Sequence, residues 1–74
     1  MKVIDKLELF NTTWYDLQIG VDLYSVQVPS NGNSGTIRVY NFKGSIESEI
    51  KNKVLRQEII TFIKNYITME RLIR

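Results

Sequence analysis

From Ser45 to Arg74 the chain runs thirty residues without a proline or a glycine. Nothing in that stretch readily interrupts a helix, so it reads as one long helix. Ser45 stands as its N-cap, Glu47 and Glu49 lie in its first turn, and Arg71 and Arg74 lie in its last, which suits the helix macrodipole at both ends. At about 1.5 Å per residue such a helix extends roughly 40 Å, whereas a strand of about six residues reaches only about 20 Å. The mismatch predicts that part of the helix packs on something other than its own sheet, and so points to a partner.

Upstream, the hydrophobic period is two. Thr13, Tyr15, Leu17 and Ile19 alternate with Trp14, Asp16 and Gln18, and after Gly20 the run Val21 to Pro29 sets Tyr24, Val26 and Val28 against Leu23, Ser25 and Gln27. Ser30-Asn31-Gly32-Asn33-Ser34-Gly35 is a concentrated turn signal. Thr36 to Phe42 then places Ile37 and Val39 on one face, as a third strand antiparallel to the second. Residues 2 to 10 fit two periods. Val3, Leu7 and Phe10 recur at helical spacing, while Val3, Leu7 and Leu9 also fit one side of a strand. The expected fold is a single α+β domain over residues 1–74, a three-stranded antiparallel sheet with a short N-terminal helix and a long C-terminal one (α-β-β-β-α), with β-β-β-β-α as the alternative.

On a helical wheel, Leu55, Ile59, Phe62, Tyr66, Met69 and Ile73 form one stripe with coiled-coil-like spacing. It serves either the interior of the protomer or a helix-to-helix dimer seam. Ile46, Ile50 and Val54 lie on another side, so the apolar direction changes near Asn52-Lys53; without Pro or Gly there, an unbroken helix facing two surfaces is expected, with a break at that point as the alternative. A third face mixes bases with isoleucines: Lys53, Arg56, Ile60, Ile63, Lys64, Ile67, Arg71 and Arg74, with Glu49 as its acid. Such a face is either solvated, its cationic stems lying over the aliphatic side chains, or a docking surface for something acidic and partly apolar.

Composition narrows the chemistry. With no Cys and no His, disulfides, zinc sites built from those residues, thiolate nucleophiles and histidine acid/base catalysis are excluded. A secreted domain of this size commonly relies on disulfides, so a cytoplasmic location is expected. Charged residues in Met1 to Lys6 do not suit a signal peptide, and no apolar run reaches membrane-spanning length. A formal charge of +2 is far from the basic excess of a dedicated nucleic-acid binder.

No two carboxylates fall into a recognisable catalytic or metal-binding spacing, and Gly32 and Gly35 sit in a hairpin tip rather than ahead of a helix. Ser and Thr lack any candidate base except Lys. Trp14 points away from the Tyr15, Leu17, Ile19 set and is either covered core or an exposed anchor. Tyr24, Arg38, Tyr40 and Phe42 on neighbouring strands offer a base-stacking platform in principle.

The expectation is a non-catalytic module that binds another protein stoichiometrically, as an inhibitor, adaptor or regulator. Small accessory proteins of phages and plasmids, including inhibitors of host defence systems, are of this type. The expected contacts are Lys53, Arg56, Ile60, Ile63, Lys64, Ile67 and Arg71 for an acidic protein surface, and Leu55, Ile59, Phe62, Tyr66, Met69 and Ile73 for a homodimer seam, with no cofactor or metal. The alternative is a small nucleic-acid-binding protein using the basic helix face.

Overall fold

The structure, a computed structural model, describes residues 1–30, 36–42 and 48–73. Four antiparallel strands and one C-terminal helix make an α+β fold: β1 (Lys2–Leu9), β2 (Thr12–Ile19), β3 (Asp22–Pro29), β4 (Arg38–Asn41) and α1 (Lys53–Leu72). The strands lie in sequence order, each beside the next. The first two connections are two-residue turns. Each turn holds a residue in the left-handed region that tight hairpins require, Asn11 at φ 66° and Gly20 at φ 61°.

Strands two to four follow the period-two reading. The register sets Tyr15 opposite Val26, Leu17 opposite Tyr24, and Val26 opposite Val39, all on one side of the sheet. The helix lays Ile59, Ile60 and Ile63 onto that side, against Leu17, Val26, Val28, Ile37 and Val39. Leu17, Val26, Val39, Ile59 and Ile63 are wholly removed from solvent. At about 25 cal/mol per Å2 of apolar surface, this layer supplies most of what holds so small a chain folded.

Residues 2 to 10 are not a helix; Lys2–Leu9 is a strand, which makes the sheet four-stranded. A bulge between Val3 and Asp5 explains why the pattern misled. The extra residue, Ile4, reverses the alternation, so Val3 pairs with Leu17 on the helix side while Leu7 pairs with Trp14 on the other. Val3 and Leu7 thus sit four apart without sharing a face.

The long helix is also shorter than expected. It begins at Lys53, where the Asn52 carboxamide oxygen accepts from the main-chain N–H groups of Val54 and Leu55, each at 3.1 Å. Just before it, Glu49 forms a bridge with Tyr40, and Ile50 donates its N–H to the Val39 carbonyl at 3.0 Å. These pairings with β4 take main-chain groups that a continuous helix would need. The change of apolar direction near Asn52 is therefore a break. The expected cap at Ser45, and Glu47, Gly44 and Arg74, lie outside the described residues. So does the hairpin tip 31–35, although β3 and β4 pair as its flanking strands.

Twenty residues of helix span about 30 Å and strands of eight span about 26 Å. The expected mismatch in length has nearly disappeared, and with it the argument for a partner that rested on length alone.

Candidate partner-binding surface

Each predicted contact can now be placed. Ile63 is fully buried and Ile60 is 8% exposed, both in the core beneath α1. They serve the fold, which corrects their place in the expected docking surface; only the small exposed part of Ile60 reaches the groove beside the helix. Ile59, expected in a dimer seam, is likewise fully buried against the protomer's own sheet. Leu55, Phe62 and Tyr66 of that seam are half-buried and pack on the core, while Met69 and Ile73 are exposed. The two expected faces are the shoulders of one buried stripe. At about 100° per residue, Ile63 points between Ile59 and Ile60, and a helix lying on a sheet buries all three directions.

What survives of the mixed face is its outer rim. Lys53, Lys64 and Arg71 are exposed, Arg56 and Ile67 half-buried. Beneath the rim a groove runs between α1 and the β3–β4 side of the sheet. One part, about 400 Å3, is lined by Ile37, Arg56, Ile60 and Lys64; the other, about 290 Å3, by Val28, Pro29, Ile37, Ile67 and Arg71, with Lys64 bordering both. Ile37, Ile60 and Ile67 share this lining with the cations and with the polar side chains of Thr13, Gln57, Thr61, Asn65 and Thr68.

Most of the described basic side chains make no ion pair, and four of them stand in a row along α1. Ion pairs among the described residues join Lys6 to Glu8 and Glu70, and Arg38 to Glu49. Lys53, Arg56, Lys64 and Arg71 enter none of them. Glu49, read from the sequence as the acid of this face, is instead beside β4, 3.4 Å from the Arg38 guanidinium.

At one end of the groove, where Tyr15 lines it, α1 is tied to the sheet by a polar clasp. Tyr15 donates its hydroxyl to Glu70 Oε1 at 3.1 Å, and Lys6 Nζ donates to Glu70 Oε2 at 3.0 Å while lying 5.7 Å from the centre of the Tyr15 ring. Burial, reinforced by the Glu70 carboxylate, pushes the Tyr15 hydroxyl up to about 12. The hydrogen bond to Glu70 holds Lys6 above the ordinary lysine value despite partial desolvation. Sixty-four residues separate Lys6 from Glu70, and no local pattern signals such a pair.

Trp14 lies on the sheet face away from the helix, half-buried, with its ring 5.7 Å from that of Tyr40. The nucleic-acid platform is not assembled. Tyr24 pairs with Leu17 on the helix side, Tyr40 is buried on the other, and Arg38 is held by Glu49. Among the described residues no cluster of acids could hold a metal ion, and no helix is long and apolar enough to cross a membrane. Compared with known protein families, curated proteins and solved structures, the chain matches none.

Proposed function

We propose that this chain is a non-catalytic protein-binding module whose partner presents an acidic, partly apolar segment to the groove beside α1. The observation that carries the reading is the set Arg56, Lys64 and Arg71, cations without a carboxylate partner among the described residues, lining a cleft that Ile37 and Ile67 also line. Unpaired charge beside concave apolar surface suits a ligand that brings carboxylates and aliphatic side chains together. A nucleic-acid backbone would satisfy the cations but leave Ile37 and Ile67 of the lining uncovered. Such a module acts by occupying a surface, as a stoichiometric inhibitor, adaptor or regulator does, and inhibitors carried by phages and plasmids against host defence systems work in this way.

The test is charge reversal on the rim. The triple change Arg56→Glu, Lys64→Glu, Arg71→Glu leaves Ile59, Ile60 and Ile63 untouched, so folding by circular dichroism should survive. Capture of the partner from nuclease-treated native lysate should be lost. Capture unchanged by the reversal places the partner elsewhere. Salt-sensitive binding to mixed-length DNA or RNA, abolished by the same reversal, favours the nucleic-acid alternative instead.

A further inference from the structure

The flank of the protein opposite the basic groove has a free sheet edge. Strand β1 pairs only with β2 among the described residues, so its outer main-chain groups have no strand partner, and the sheet face away from the helix carries Leu7 and Leu9 beside that edge, both more than half exposed. Natural sheets blunt such edges, because an open ladder recruits another strand. Here the bulge at Val3–Asp5 distorts the first half of the edge, while residues 5 to 9 keep a regular register with β2 and alternate Leu7 and Leu9 with Lys6 and Glu8.

We infer that the β1 edge is a homodimer interface, at which residues 5 to 9 pair antiparallel with the same segment of a second copy. The register follows from charge. The Lys6 main-chain N–H donates to the Asp5 carboxylate at 2.8 Å, which marks it as a donor of the free edge. Alternation places the main-chain groups of Glu8 on that edge as well. Three antiparallel registers can link these residues. One sets Lys6 against Lys6, another sets Glu8 against Glu8, and the third sets Lys6 against Glu8 twice over, with Leu7 facing Leu7 at the two-fold axis. Lys6 already pairs with Glu8 and Glu70 of its own chain, but like charges directly opposite are unfavourable, and the third register alone avoids them. In the pair, the Glu8 carbonyl of the second copy replaces the Asp5 carboxylate as acceptor for the Lys6 N–H.

The helix supports the same geometry. Lys6 reaches Glu70, so the C-terminal half of α1 lies alongside this stretch of β1. Phe62 borders Met1 at the start of the strand, and Met69 and Ile73, seven and eleven residues further along, share that flank. Met69 is 58% exposed and Ile73 82% exposed. A second protomer related by the two-fold at Leu7 brings its own Met69 and Ile73 toward them, on the side of the sheet that holds both helices. The part of the expected seam that is free to face a partner is thus an extension of the strand edge rather than an independent coiled coil. The basic groove lies mostly toward β3 and β4, and the Tyr15–Glu70–Lys6 clasp stands between it and the β1 edge.

Sedimentation equilibrium of the unaltered chain and site-specific cross-linking test the inference together. The chain has no cysteine, so Leu7→Cys introduces its sole thiol at an exposed position. Residues facing each other across an antiparallel ladder have Cα atoms about 4.5–5.5 Å apart, within disulfide range. In this register two copies of residue 9 lie four residues apart along the ladder, about 13 Å. The expected result is a dimer in which mild oxidation links the Leu7→Cys variant covalently and leaves Leu9→Cys largely unlinked at the same concentration. A monomer at all concentrations overturns the interface. A dimer in which Leu9→Cys links and Leu7→Cys does not overturns the register.

Discussion

Replacing Ile63 with alanine separates a helix laid on its own sheet from a helix that offers its isoleucines outward. Ile63 is fully buried between Ile59 and Ile60 against the sheet. Isoleucine to alanine removes three carbons, about 2.4 kcal/mol at about 0.8 kcal/mol each, and the incompletely filled cavity raises the expected cost to about 3–4 kcal/mol. A chain of 74 residues has a total stability on the order of 4–11 kcal/mol, so the loss is a large share of it. Urea unfolding followed by the fluorescence of Trp14, the sole tryptophan, reads it directly. With a slope of about 1 kcal/mol per molar, the midpoint should fall by about 3 M, or the variant should already be unfolded in buffer. The matched change Ile67→Ala, at a half-buried position on the groove, should cost only about 1 kcal/mol. A loss below about 1 kcal/mol for Ile63→Ala, or equal losses at the two positions, would refute the packing described here.

The Tyr15–Glu70–Lys6 clasp makes stability depend on alkaline pH. Because the Tyr15 hydroxyl titrates near 12 in the folded chain and about 10 unfolded, the folded state holds the proton more tightly, so its contribution of about 2 kcal/mol is complete below pH 10 and is lost between pH 10 and 12. Lys6, also raised, changes in the same direction. Tyr15→Phe should cost about 1–2 kcal/mol at neutral pH and flatten the decline above pH 10; an unchanged alkaline slope in urea titrations counts against the clasp. Asn52→Ala should lower stability by about 1 kcal/mol by removing the acceptor for two N–H groups, read by urea unfolding.

The sequence discloses those parts of the fold whose signal is local. The alternation through Tyr15, Leu17 and Ile19 and through Tyr24, Val26 and Val28 carries over directly into the register of β2 and β3. The strand Lys2–Leu9 is hidden by one extra residue, because the bulge moves Val3 and Leu7 to opposite faces and leaves a spacing that mimics a helical turn. The start of α1 is hidden for a different reason. Freedom from Pro and Gly permits a helix from Ser45 onward, but the pairing of Glu49 with Tyr40 and of Ile50 with Val39 is made across the fold. On the wheel, Ile60 and Ile63 fall with the bases because Lys64 and Arg71 share their side. Only the position of the sheet shows which side chains on that shoulder are buried and which are rim. The cations of the candidate site are thus legible as a row, whereas their lack of acid partners depends on where Glu49 and Glu70 go.

The most direct test of the central claim compares capture by three forms of the protein: the unaltered chain, the rim-reversed chain (Arg56→Glu, Lys64→Glu, Arg71→Glu) and a chain altered only at the opposite edge (Leu7→Lys). The account predicts that a protein captured from nuclease-treated lysate by the unaltered chain disappears with the rim-reversed form and persists with the edge variant. Persistence with the rim-reversed form, or disappearance with the edge variant alone, contradicts it.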